Sequence, residues 1–429
     1  MPNLLIMGVS MTLSYDHLYD AVTGCSVGLR ARLALEPLGG AGDKIFPPTY
    51  STPESAETQY AVEERTVIGA AGAATVLSTV LDSVASQANH LELALLDAVR
   101  SGSPSAPVTS VDFTDRGIFG IDRISDYEAP HRIFDALLRD SFDEDDLFRH
   151  GPTGRAITEA TSRNASALFH HSPHTLVFGG WDSTGPKGGR GAKYERALAS
   201  EIVAHGVRRG VKTSSRIDPV GVEIKAGPVY ESADALGWTL DERDAVKEKG
   251  KAKLYARGGD RPGRPSVLNH GNVTPSIDSR AGGITASEIV GTTVFSFIQL
   301  RRLRFPTTTT GEPIPADQRV SAEGAARTAL AALGLAATVL GYEQGFDLRS
   351  RCVLVPRGKL TFDLVGRAGA VETVEVDSTA ALELVAEAAD RAAALQLGWR
   401  TSEMLLRPSD RLVELIRRSQ DVAAAGQGD

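Results

Sequence analysis

From Thr328 to Tyr342 the chain reads TALAALGLAATVLGY, without a single charge. A helix apolar on every side must be enclosed by other elements, and this run is shorter than the roughly 18 residues that would cross a membrane. It therefore reads as a buried helix, capped at Ser321, around which a sizeable core assembles. With 429 residues, 42% of them apolar and 23% charged, the chain has enough material for that core. Disorder is excluded for most of its length. Two cysteines, Cys25 and Cys352, cannot build a disulfide framework or a structural zinc site alone, and a reducing, cytoplasmic setting is expected. The start, MPNLLIMGVSM, lacks the basic region of a signal peptide.

Local patterns set out the remaining elements. Ser14 caps a short helix that Gly24 ends. VGLRARLALEPL (Val27 to Leu38) alternates apolar residues with Arg30 and Arg32, which makes a half-buried strand with two arginines on its open face. Leu77, Leu81, Val84, Ala88, Leu91 and Leu95 share one side of a helix expected from Ala73 to Arg100. Its other side carries Thr79, Ser83, Ser86 and His90, small groups that let another backbone approach; packing against a loop is the plainer reading. Further expectations are a strand at 107–114, helices at 129–141 and 153–171, a strand at 175–181, a helix at 192–205 and a strand at 220–230. A strand at 290–300, a hairpin across 360–376 and a helix at 379–397 complete the pattern. Strands and helices alternate irregularly, so an α+β fold around a small antiparallel sheet is expected.

The formal net charge is −8, which by itself argues against a nucleic-acid partner. The charge is unevenly placed, however: Asp112 to Asp146 holds eleven acids against four bases, and Arg243 to Arg304 twelve bases against five acids. Residues 231–285 are rich in Gly, Pro and basic side chains and read as an extended insertion or arm. Alternate lysines there, including Lys251 and Lys253, would share one face of a strand and follow a phosphate backbone, unless the run is simply solvated.

The densest constellation is FGGWDSTGPKGGRGAK (Phe178 to Lys193). Its glycines let backbone N–H groups approach an anion, and a following helix N-terminus would add a favourable dipole. With the glycines, Ser183, Thr184, Lys187, Arg190 and Lys193 make it a phosphate-binding candidate, or else a surface loop. It matches neither the nucleotide P-loop nor the dinucleotide fingerprint. His170, His171 and His174 lack a carboxylate at ligand spacing, and the consecutive acids Asp143 to Asp146 point in different directions. No metal, cofactor or defended catalytic centre is expected.

RLALEPLGGAGDKIFPPTY, LDSVASQANHLE, APHRIFDALLRDS, ALFHHSPHTLVFGGWDSTGPKGGRGAKYERALASEIV and SRIDPVGVE occur in this order between Arg32 and Glu223. Together they resemble the CRISPR-associated RAMP superfamily, specifically the family-seven backbone subunit of the type I-G (formerly I-U) Cascade effector. The resemblance implies a ferredoxin-like (RRM-like) antiparallel sheet core with large insertions, including a thumb-like arm. It divides the chain into a palm core at 1–230, the arm at 231–288 and remaining core elements at 289–429. It also implies a non-enzymatic subunit that binds CRISPR RNA, lines up in copies along it and presents the guide to a target DNA strand. The other partners it implies are a large subunit, a guide-end-capping RAMP subunit and a helicase-nuclease, with no membrane. Carried over residue by residue, Arg30, Arg32, Lys44, Ser83, Ser86, Gln87, His90, Trp181, Ser183, Thr184, Lys187, Arg190, Lys193, Lys251 and Lys253 would lie near the guide. The alternatives are a metal-dependent ribonuclease of the same superfamily, using carboxylates with His131 or His171, and a protein-only scaffold.

Overall fold

The computed structural model describes residues 11–69, 72–185, 193–257 and 261–424. Contacts divide the chain into two units. One holds the described residues up to Asp43 with those of Ala61–Val207 and from Ala286 on; the other is Lys44–Tyr60 with the described residues of Arg208–Thr285.

The elements that build the first unit's main sheet and its cover are, in chain order, α1 (Tyr15–Thr23), β1 (Gly28–Pro37), β2 (Val62–Gly69), β3 (Gly72–Asp82), α2 (Val84–Arg100), β4 (Leu198–His205), β5 (Glu288–Ser296), α3 (Arg319–Gln344), β6 (Phe346–Arg349), β7 (Cys352–Pro356), β8 (Thr361–Val365), β9 (Val371–Glu375) and α4 (Ser378–Ala394). The sheet runs β9-β8-β1-β5-β4-β3-β2, and β7 pairs with both β1 and β6. All these pairings are antiparallel, and the two-residue strand Met11–Thr12 adds a parallel edge beside β9. The α+β class holds, with a ten-stranded sheet rather than a small one.

The alternation read in β1 is present: Leu29, Ala31, Leu33 and Leu35 are buried while Arg30 and Arg32 are exposed. Ser14 caps α1, its hydroxyl accepting from the His17 amide. The apolar helix is α3. It packs against α1, α2, α4 and the sheet, and Leu330, Leu333 and Leu335 have no exposed surface. Its length and apolarity alone would let it cross a membrane, but its apolar stretch lies wholly inside the protein. Gln318 rather than Ser321 precedes its first turn. Gly291 of β5 is required where α3 meets the sheet, because a Cβ there would collide with the Tyr342 hydroxyl.

Several local expectations are corrected. Residues 73–82 belong to β3, not to a helix; Thr75, Val76, Thr79 and Val80 favour the strand, and helix begins only after Ser83, whose hydroxyl accepts from the Ser86 amide. The 175–181 strand is the short buried helix Pro173–Phe178, with proline in its first turn. The 192–205 helix is instead β4, and 220–230 contains a single 3₁₀ turn, with only its last residue, Tyr230, entering a two-residue strand. The 129–141 helix is reduced to Arg132–Phe134 and Ala136–Arg139, and 153–171 splits into Pro152–Glu159 and Ser166–His171. The acidic stretch joins a separate five-stranded sheet with Met404–Pro408 at its centre.

The second unit is built from short ladders. Lys212–Arg216 pairs with Val273–Asp278, and Ile45 bridges Ile284. The Arg280 guanidinium donates to Thr52, Pro53 and Ala56, fastening the two chain segments together.

Candidate nucleic-acid interface

The helices cover the leucine-bearing face of the main sheet, so the alternate positions form its open face. Across β1, β5 and β4 these positions align as Arg30, Val294, Ala199 and as Arg32, Thr292, Glu201. Arg30 is ion-paired with Asp363 of β8 at 2.7 Å, and Glu201 takes Arg65 of β2 at 2.6 Å. Arg32 is exposed and has no ion-pair partner among the described residues. None of these aligned positions is Phe, Tyr or Trp, so they offer charge but no stacking surface.

Beneath β3 and β4 lies a buried polar chain. Gln87 donates to Asp82 at 2.7 Å and accepts from Ser200 at 2.8 Å; Ser200 in turn meets Thr293 and the Tyr342 hydroxyl. Gln87 has no exposed surface, and its side chain is committed to this chain of bonds. His90 Nδ1 lies 2.7 Å from Asp82, and that hydrogen bond holds the imidazole above its ordinary pKa. Ser83 caps α2, and Ser86 is partly exposed one turn on.

The glycine-rich segment leaves the Pro173–Phe178 helix at Gly179, whose φ of 89° suits glycine. A two-residue ribbon closes its root, Gly180–Trp181 against Lys193–Tyr194, with Trp181 opposite Lys193. Trp181 is 50% exposed, and Lys193 is exposed with no ion-pair partner among the described residues. Ser183 and Thr184 are exposed as well. Arg149 holds this turn, donating to Asp182 at 2.7 Å and to the Thr184 carbonyl at 2.8 Å. Lys187 and Arg190 lie outside the described residues. Because β4 follows instead of a helix, the dipole expected after this loop is absent.

A buried bracket secures the same root. Arg132 grips both oxygens of Glu92 on α2 at 2.6 Å, donates to the Gly179 carbonyl at 3.0 Å and lies over the Phe178 ring. Its φ is 54°, a conformation that side-chain-bearing residues seldom adopt. Burial pushes the Glu92 carboxyl up to about 7 against the opposing pull of Arg132.

In the second unit, Lys44 donates to the Val211 carbonyl at 2.8 Å and lies over Phe46. The lysine run is not one strand face: Lys247–Glu248 and Lys251–Ala252 form a tight hairpin turning at Lys249 and Gly250, both with positive φ. Lys251 is exposed, whereas Lys253 pairs with Glu231 at 2.7 Å.

The histidines and acids are dispersed. His170 Nδ1 meets the Gly398 carbonyl, and burial lowers His171 to about 3. His174 is wholly buried, stacked 3.8 Å from Tyr127 and 3.5 Å from Asp126. Asp143 and Asp146 pair across a hairpin whose turn includes Glu144 at positive φ. Among the described residues no three His, Cys, Asp or Glu side chains converge on a metal-sized site.

With this geometry in place, residues 29–209 match the family model described as CRISPR-associated protein GSU0053, a RAMP-type family. Over that span, somewhat under half of its length, the chain is similar to this CRISPR-associated family. No curated protein matches the chain. The matched span includes β1 from Leu29 on, β2, β3, α2, the buried bracket and the ribbon at the root of the glycine-rich loop. It leaves out Lys251, Lys253 and the arginines after β5. Sequence reading did not single out Arg132 or Arg149, the two arginines that fix the loop's root. The only local signal for either is an arginine inside an otherwise acidic or apolar stretch.

Proposed function

We propose that this chain is a CRISPR-associated protein, a non-enzymatic, guide-binding backbone subunit of a type I-G Cascade complex in the prokaryotic cytoplasm. Copies would assemble along the CRISPR RNA and present it to a target DNA strand, and the main sheet would contain the ferredoxin-like core of RAMP proteins. The observation that carries the reading is the placement, within the span matching the CRISPR-associated family, of exposed Arg32 and Lys193, without ion-pair partners among the described residues, together with a half-exposed Trp181. Unpaired cations and an aromatic face are what single-stranded nucleic acid needs, and they suffice despite a net charge of −8. Other Cascade subunits and a helicase-nuclease are the partners of this role.

The test is binding of labelled CRISPR RNA by the full chain across a salt series. The expected result is an affinity that falls steeply and log-linearly with salt, with several proteins bound per RNA. A chain that stays monomeric and shows no affinity for RNA at low salt would overturn the reading. Metal-dependent cleavage of the RNA, abolished by substituting one carboxylate, would replace it with a ribonuclease.

A further inference from the structure

Beside the ribbon at the loop root lies a cavity of about 390 Å³ whose lining includes Lys193, Glu195, Gln299, Arg302 and, on its apolar side, Leu176 and Leu303. We infer that this cavity and the face of Trp181 form a subsite for one nucleotide of single-stranded RNA. A base would stack on Trp181, and the adjoining phosphate would be held by Lys193 and Arg302. The inference rests on the RNA-binding reading and extends it to residues beyond the matched span.

Three observations support it. Trp181 and Lys193 are directly opposed in the antiparallel ribbon, which places their side chains on the same face. Tyr194, next in the strand, is buried, and its ring runs nearly parallel to Phe134, so the ribbon's other face is packed. The exposed face is therefore left to Trp181 and Lys193.

Arg302 is pre-positioned. One terminal nitrogen donates to Glu195 at 2.8 Å and to Gln299 at 3.1 Å. Its other terminal nitrogen and Nε make no hydrogen bond within the described residues, and the side chain is 62% exposed. A guanidinium held from one side keeps its remaining donors available to phosphate oxygens at little further entropic cost.

The charges of the cavity are unequal. Lys193 and Arg302 contribute two cations against the single carboxylate of Glu195, and Lys193 has no ion-pair partner among the described residues. The neighbouring Arg301 is not available in the same way: it donates to the carbonyls of Ala21, Val22 and Ser26 and so closes the end of α1. Of these two adjacent arginines one is structural and one faces the cavity.

The experiment uses the full-length protein, a fluorescein-labelled single-stranded RNA and four forms: wild type, Trp181→Ala, Arg302→Gln and Lys193→Gln/Arg302→Gln. Trp181→Ala is expected to weaken binding roughly 5- to 150-fold. The double substitution should weaken it roughly ten- to hundredfold and flatten the slope of log affinity against log salt by about 0.7, the value for one phosphate no longer neutralised. Wild-type tryptophan emission should be quenched by RNA, and that response should vanish in Trp181→Ala. All four should share one melting temperature.

If wild type binds RNA while the double variant keeps wild-type affinity and slope, the subsite is wrong and the RNA-binding reading stands. If wild type binds no RNA, both fall. Should a variant melt early, photocrosslinking of thiouridine-substituted RNA to the wild type decides instead. Crosslinks at Trp181 or Lys193 uphold the subsite, and crosslinks confined to other segments overturn it.

Discussion

Two arginines bond the two ends of the glycine-rich segment, Arg132 at Gly179 and Arg302 at Glu195, and do opposite things. Arg132 has a side chain 7% exposed, bonded to Glu92 through two nitrogens and to Gly179 through a third. Arg302 is 62% exposed and committed through one nitrogen only. Both carry the same charge, yet only the second can offer it to a ligand. What a cation does here is decided by how many of its donors the fold has already used, and a charge count along the chain is blind to that.

The comparison is most directly broken at Arg132. Replacing it with alanine removes three buried hydrogen bonds and leaves the Glu92 carboxyl without its partner in the core, and a loss of about 3–5 kcal/mol is expected, measurable as a lower urea midpoint. A variant as stable as wild type would show that the bracket holds nothing. Because the same side chain anchors Gly179, the emission of Trp181 should also shift in the folded variant.

Buried histidine provides the next test. Burial holds the His174 imidazole well below its ordinary value, so the stability it contributes is present above about pH 6.5 and lost as pH falls. In that range the unfolded chain takes up a proton that the native state refuses. Each pH unit below 6.5 is worth up to about 1.4 kcal/mol. His174→Gln should therefore lose less stability than wild type between pH 6.5 and 5, read from urea midpoints at the two pH values. Equal losses would mean that His174 is protonated within the fold.

Smaller effects belong to groups at the surface. Ser83→Ala removes the cap of α2 and should cost about 1 kcal/mol, seen as a drop of a few degrees in melting temperature. Arg32→Ala, on the open face of the sheet, should leave stability within about 0.5 kcal/mol. It should nevertheless flatten the salt dependence of RNA binding by about 0.7. A large stability change with an unaltered slope would place Arg32 with Arg132 rather than with Arg302.

The same contrast explains what could be read from sequence. The strand β1, the helices α1 and α4 and the β8–β9 hairpin carry their own signals: strict alternation, a capping serine, a glycine-rich turn. Elements enclosed on both sides carry none. Ala204 and Val203 of β4 are buried on opposite faces, and Pro173–Phe178 is a helix of six buried residues; periodicity cannot separate strand from helix in such runs. β3 was misread because Leu77, Leu81 and Val84 fall at helical spacing, although they straddle the end of a strand and the start of α2. Trp181 and Lys193 were legible because their loop is compositionally unusual. Arg302 was visible only as part of a basic run, since the Glu195 carboxylate that orients it is 107 positions away.

The second unit draws on two separated stretches of chain, Lys44–Tyr60 and Arg208–Thr285. During synthesis the first stretch leaves the ribosome well before the second exists. At roughly 5–20 residues per second, Ile45 waits on the order of 10–50 s for Ile284, the residue it bridges. For that interval the apolar side chains of the early stretch have no native cover. Its prolines, Pro47, Pro48 and Pro53, cannot donate to a β-ladder, which protects the waiting segment from pairing with a neighbouring nascent chain.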